Sequence, residues 1–298
     1  LQGRLIWTEE FHDKLPALQL LFAVVAAFGD IWAWRLMTVF SIIIAVAVAL
    51  RNFPLLLPAL SERESRYVAL LSGVFFLLLV SQLPGGITHI NAMAASLAII
   101  ATILGARLGM TNGSLRNSIL GILGLSVSSA LSISIRPYFF LPIGAVLLFL
   151  LIRCIKSSKT EFSLKVFALG LASVTAPPAL TFFLNFLPYV ITLQTSDFWS
   201  GVSLLAQRTV PDSAWAGYMN GAPGGPVELS LPYLLSLLRF LWLPALIVVC
   251  IASLCYSVFK ANPNLLISIV IPAGVISLFL AIMTQHWWAH YALSLIHI

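Results

Sequence analysis

Only 9% of the 298 residues carry charge, so each side chain able to do chemistry stands out. Four cations come first. Lys14 follows Asp13, Arg136 precedes Pro137, Arg208 lies in a polar stretch, and Arg239 sits inside an apolar run. An ionisable group in hydrocarbon costs at least ~2.5 kcal/mol on insertion scales, so it turns inward and needs a partner. Cations gathered in this way suit an anion, such as a lipid phosphate or pyrophosphate. The plainer alternatives are a snorkelling Arg239, a solvated Arg208 and an Arg136 that merely anchors topology. Glu9, Glu10, His12 and Asp13 form an acidic cluster suited to a divalent metal through oxygen and imidazole ligands, or to a solvated loop. His286 and His290 in QHWWAHY would share a helix face, but with no HExxH they read equally as interfacial residues or as the polar lining of a cavity. Cys154, Cys250 and Cys255 lie in or beside apolar runs, fit no metal spacing and read as small buried hydrophobes.

The elements that must position these groups are membrane spans. Hydrophobic residues make up 60% of the chain and the mean hydropathy is +1.02, whereas a soluble domain carries roughly 25% charged residues. Too few polar side chains exist to cover a water-facing surface. A soluble enzyme, a nucleic-acid binder and a disordered tail are therefore excluded, and the net charge of +6 sorts by side of the membrane rather than towards nucleic acid. Apolar runs fall at 30–50, 67–84, 87–108, 118–135, 137–152, 166–186, 232–259 and 265–284, and a further run begins at Trp287. The fold class is thus all-α, a polytopic helix bundle forming a single transmembrane domain.

Orientation follows from charge. With the first span entering from outside, Arg51, Arg63, Arg66, Arg107, Arg116, Arg153, Lys156, Lys159, Lys165 and Lys260 are inside, as the positive-inside rule requires. Lys14, Arg136, Arg208 and Arg239 fall outside or in the outer half of a span. Joining 118–152 into one helix would give about 52 Å, far more than the ~30 Å hydrocarbon core. Proline also disfavours the α region for the residue before it. Two short spans meeting at Arg136-Pro137 on the outer side are expected instead.

Two outer regions are not spans. Residues 1–29 form an external loop in which 16–28 are too few to cross, and a helix lying in the outer interface is expected there. Residues 187–231 form a second external loop, with Trp199, Trp215 and Tyr218 suited to an interfacial belt and a Gly/Pro cluster at 221–226. The chain starts at Leu1 without Met and stops at Ile298 inside an apolar run, so it reads as a fragment of a longer protein.

The first of these regions, LQGRLIWTEEFHDKLPALQLLFAVVAAFGDIWAWRL, resembles the first large external loop of membrane glycosyltransferases of the GT-C class. It is most similar to the bacterial branch related to protein O-mannosyltransferases and lipid A aminoarabinose transferase. Gly3, Asp13, Lys14, Pro16, Phe28, Gly29 and Arg35 occupy that pattern, while Ile6-Trp7 replaces Pro-Tyr and Leu15 replaces the first proline of the pair. LSISIRPYFFLP is similar to the family's segment with a basic residue before Pro or Gly, and QHWWAHYALSL to its His-Tyr helix start, here without the later proline.

The resemblance implies transfer of a sugar from a polyprenyl-phosphate donor to a lipid, glycan or protein acceptor, with inversion, on the outer face of a bacterial plasma membrane. It implies that Lys14 and Arg136 bind the donor phosphate. Asp13, Glu10, Arg239, His290 and Tyr291 are placed as a supporting site, although the family fixes no role for Arg239. The family's usual base, the Asp of an Asp-Glu pair, would precede Leu1, so no catalytic residue is assigned here. No cofactor is demanded; a divalent metal on the acidic cluster is the one the residues allow. Two alternatives stay open. A secondary transporter or flippase would want inverted repeats and midplane breaks, for which Pro177-Pro178 is the one candidate. A polysaccharide polymerase or ligase would share the outer cationic site.

Overall fold

A computed structural model describes residues 16–28, 30–80, 90–110, 114–160, 164–208, 256, 259–265 and 269. Among these no strand occurs and nearly every residue is helical. The helices are α1 (Ala17–Ala27), α2 (Asp30–Leu56), α3 (Glu62–Val80), α4 (Ile90–Met110), α5 (Leu115–Ile135), α6 (Phe140–Thr160), α7 (Leu164–Ile191) and α8 (Thr195–Arg208), with a 3-10 turn at Pro137–Phe139. Four stretches are long and apolar enough to cross a membrane: Trp32–Leu56, Ala92–Met110, Leu115–Ile135 and Leu164–Ile191. This is an all-helical membrane protein. α3 and α6 occupy the other two of the six spans expected over 30–186, and neither is among these four. The first of them opens on the charged run Glu62 to Arg66, and the second has its apolar part at Pro142–Ile155.

Local signals explain the helix ends. Ser61 and Glu64 form a reciprocal capping box at the start of α3. The Ser61 N–H donates to Glu64 Oε2 at 2.8 Å, and the Glu64 N–H donates to Ser61 Oγ at 3.3 Å. Ser114 caps α5 by accepting the Asn117 N–H at 3.4 Å. α5 stops where Arg136 turns extended (φ −143°, ψ 101°) ahead of Pro137, so the expected pair of separate helices is what forms.

α4 is the packing centre and lies against α2, α5 and α6. Ala92, Ala94, Ala95, Ala98 and Ala101 on it are all fully buried. A Cβ on Gly105 would lie 2.2 Å from Val146 Cγ1, and one on Gly109 would lie 2.3 Å from Phe149 Cε1. Small residues let helix backbones approach closely where lipid supplies no hydrophobic drive between helices.

Side-chain contacts identify the two ends of the bundle. At one end Arg107 Nη1 donates to Asn52 Oδ1 at 3.0 Å, and Arg153 Nε donates to the Gly109 carbonyl at 2.9 Å. These join the C-terminal parts of α2, α4 and α6, where Arg51, Arg107, Arg153 and Lys156 lie, and the N-terminal parts of α3, α5 and α7 bring Arg63, Arg66, Arg116 and Lys165 to the same end. The opposite end joins the start of α4 to the finish of α5, through Ser132 Oγ donating to the Ala94 carbonyl at 2.8 Å.

Two features depart from the expected layout. Residues 187–191 continue α7, and 195–208 fold as α8, so the first half of the expected outer loop is helix. The reason is an apolar stripe at Phe198, Trp199, Val202 and Leu205, with which α8 packs its buried Phe198 onto Phe186 (ring centroids 5.0 Å) and Tyr189 (5.5 Å). α7 also runs unbroken through Pro177 and Pro178, with Thr181 Oγ1 donating to the Pro177 carbonyl at 2.8 Å. The midplane break that a transporter would use is not a break in the helix path.

Candidate functional site

The end of the bundle opposite the basic one holds Arg136, the one described residue of those assigned to the donor phosphate and its supporting site; of the other cations singled out in the sequence, Arg208 is the last residue of α8. Arg136 is half-buried at the C-cap of α5. Its N–H donates to the Ser132 carbonyl at 2.9 Å, and its carbonyl accepts the Phe139 N–H at 3.1 Å. Backbone on both sides of the residue is thereby pinned, which fixes where the side chain leaves the chain. Lys14, Asp13, Glu10, Arg239, His290 and Tyr291 lie outside the described residues, as do Glu9, His12 and His286.

Next to Arg136 is a polar node built from three helices. Asn185 on α7 is 3% exposed. Its Oδ1 accepts the Ala17 N–H at 2.8 Å, and its Nδ2 donates to Ser134 Oγ at 2.9 Å and to the Thr181 carbonyl at 2.8 Å. The first amides of a helix have no partner within it. Pro16, at the N-cap of α1, supplies no side-chain cap. Asn185 therefore caps α1 from another helix and ties its first residue to the end of α5, two residues before Arg136. Pro16, Ala17 and Leu18 are buried in consequence.

α1 is 11 residues long and has both ends near this face. Its start meets Asn185, its last residue lies three positions before α2, and Phe22 packs on Trp34 in the first turns of α2 (4.9 Å between centroids). Arg35 lies over the Trp32 ring at 5.1 Å on the same end of α2. α1 thus bridges the ends of α5 and α7 to the start of α2 at the end of the bundle opposite the basic one.

Sequence reasoning missed Asn185 and Ser134. The signal was present: Asn185 is the one amide in VTAPPALTFFLNFLPYV, and a polar side chain within a span must find a partner across helices. Among the described residues no group of three His, Cys, Asp or Glu could hold a metal ion, and the acidic cluster proposed for one is not among them. Compared with family models, with curated proteins and with solved structures, the chain gives no match.

Proposed function

We propose that the chain is a glycosyltransferase that moves a sugar from a polyprenyl-phosphate donor to a lipid, glycan or protein acceptor, with inversion, on the extracytoplasmic side of a bacterial plasma membrane. One observation carries the reading beyond the sequence resemblance. Two points separated by more than a hundred residues, Ala17 at the start of α1 and Ser134 beside the Arg136-Pro137 turn, are held together by Asn185 at the end opposite the basic one. Lys14 is three residues from Ala17, a reach of at most about 10 Å of extended chain, so its ammonium and the Arg136 guanidinium can serve one phosphate.

The chemistry follows from that pairing. Displacement at the anomeric carbon needs a base for the acceptor hydroxyl proton, which no residue of this chain is assigned to supply. It also needs cations on the departing lipid phosphate, whose negative charge grows as the glycosidic bond breaks. Lys14 and Arg136 would strengthen their contacts as that charge develops and so favour the transition state over the ground state. Asp13, Glu10, Arg239, His290 and Tyr291 would support the same site.

The test is transfer by the complete protein, with the upstream base that the resemblance implies, in proteoliposomes, using a panel of radiolabelled polyprenyl-phosphate sugars. Lys14→Ala and Arg136→Ala should each lower kcat/KM by roughly 10²–10³-fold, the scale of one lost electrostatic contact. Arg116→Ala, at the opposite end, should leave it unchanged. Full transfer by both site variants would overturn the phosphate assignment, and movement of label across the bilayer without transfer would favour the transporter.

A further inference from the structure

The basic end carries a second anion-compatible feature, far from Arg136 and independent of the proposed transfer reaction. On α3 an open groove of about 450 Å³ is lined by Glu62, Arg63, Arg66, Tyr67 and Leu70. Arg63 donates through Nε and Nη2 to the Tyr67 hydroxyl, at 3.3 and 3.2 Å, with its guanidinium 5.6 Å from the Tyr67 ring centre. This contact holds an otherwise mobile cation against an aromatic ring at the first turns of the helix. Arg66 pairs with Glu62, and its side chain remains 60% exposed. The same helix continues with exposed Leu70, Leu71, Val74 and Leu77.

That succession has the profile of a membrane lipid: two guanidinium groups and a tyrosine at the level of a headgroup, then a stripe of apolar side chains at the level of acyl chains. We propose that this face of α3 seats an anionic phospholipid of the leaflet that meets the basic end, with its phosphate on Arg63 and Arg66 and one acyl chain along Leu70, Val74 and Leu77. Arginine matches phosphate oxygens through paired N–H donors, which a lone lysine cannot do. The exposed pair between Arg66 and Glu62 is of a weak class and is open to competition by a phosphate. Glu64 turns to the capping box instead, its Oε2 accepting from the Ser61 N–H and hydroxyl. A zwitterionic headgroup would bring its own cation towards the two arginines and lose the preference.

The experiment is native mass spectrometry of the full chain, titrated in detergent with phosphatidylglycerol or phosphatidylcholine. Each Arg near a membrane surface adds about fivefold in affinity for anionic lipid, and because Arg66 is shared with Glu62 the preference for phosphatidylglycerol falls between about 5-fold and about 30-fold. The R63Q/R66Q double variant should lose most of that preference. Arg116→Gln, a cation at the same end but outside the groove, should keep it. Glu62→Gln should raise phosphatidylglycerol retention a few-fold, because it frees Arg66, and this variant keeps the test decisive if the double variant misfolds. Equal retention of both lipids by the unaltered protein overturns the seat. So does an Arg116→Gln loss as large as that of the double variant, which would mean diffuse charge, or an unchanged Glu62→Gln.

Discussion

Replacing Asn185 with Leu should release α1 from the bundle while leaving the spans folded. Leucine keeps the branched outline of asparagine with methyls in place of its oxygen and nitrogen, so the loss is chiefly polar, with some crowding from the bulkier methyls. The Ala17 N–H, now at 2.8 Å from Oδ1, would be left buried with no partner, and an unsatisfied buried donor costs about 1–3 kcal/mol. Hydrogen bonds between membrane helices average a smaller ~0.6 kcal/mol and reach ~1.7. A net loss of about 1–2 kcal/mol corresponds to a rise of roughly 5–30-fold in the population with α1 undocked. Leu18 is 1% exposed when α1 is docked, so a Leu18→Cys thiol should react with a membrane-impermeant maleimide only from the undocked state. Labelling rates compared between Leu18→Cys alone and Leu18→Cys with Asn185→Leu cancel any effect of the cysteine itself, and peptide mapping separates the label from the native cysteines. Ser134→Ala leaves the Ala17 bond in place and should raise the rate less than about threefold. Equal rates with and without Asn185→Leu, in protein whose thermal midpoint is unchanged, would show that Asn185 does not hold α1.

Three further outcomes follow from the same structure. Gly105→Ala and Gly109→Ala drive a Cβ into Val146 and Phe149 and should each destabilise the detergent-solubilised protein by about 1–3 kcal/mol, whereas Gly144→Ala meets nothing within 4 Å and should be neutral or stabilising in thermal unfolding. The Ser61 hydroxyl, and then its N–H, hold the Glu64 carboxyl below the ordinary glutamate range, with Lys260 adding to the effect. A depressed folded-state pKa means that the cap's contribution is present above the unfolded value and is lost as pH falls through the folded one. Protection of the Ser65 and Arg66 amides, taken relative to their intrinsic exchange rates, should therefore fall on acidification below the usual glutamate pKa, and Glu64→Gln should remove that fall. Reporter fusions at Glu64 and Ser157 should be cytoplasmic and one at Gly224 external; a cytoplasmic Gly224 would reverse the orientation.

The sequence by itself determined the features whose cause is local. Scarcity of charge determined the membrane class. Uninterrupted apolar length marked out the helices over 30–186, four of which are long and apolar enough to cross a membrane. The steric demand of Pro137 on its neighbour ended α5 at Arg136, and Ser61 with Glu64 marked the start of α3. The tertiary structure decided which distant residues share an end of the bundle. Nothing in the periodicity around Asn185 says that it caps α1, 168 positions away. Nothing local says that Gly105 and Gly109 must admit Val146 and Phe149. The prolines at 177 and 178 looked like a break because each removes an amide donor, yet α7 continues through them. α8 looked like loop because its apolar stripe is short, and Phe198 is buried only against Phe186 and Tyr189. Hydropathy and pre-proline sterics act within a few residues and can be read in order along the chain. A hydrogen-bond donor buried between helices is satisfied only by whichever acceptor the packing delivers, and that pairing exists only once the helices have met.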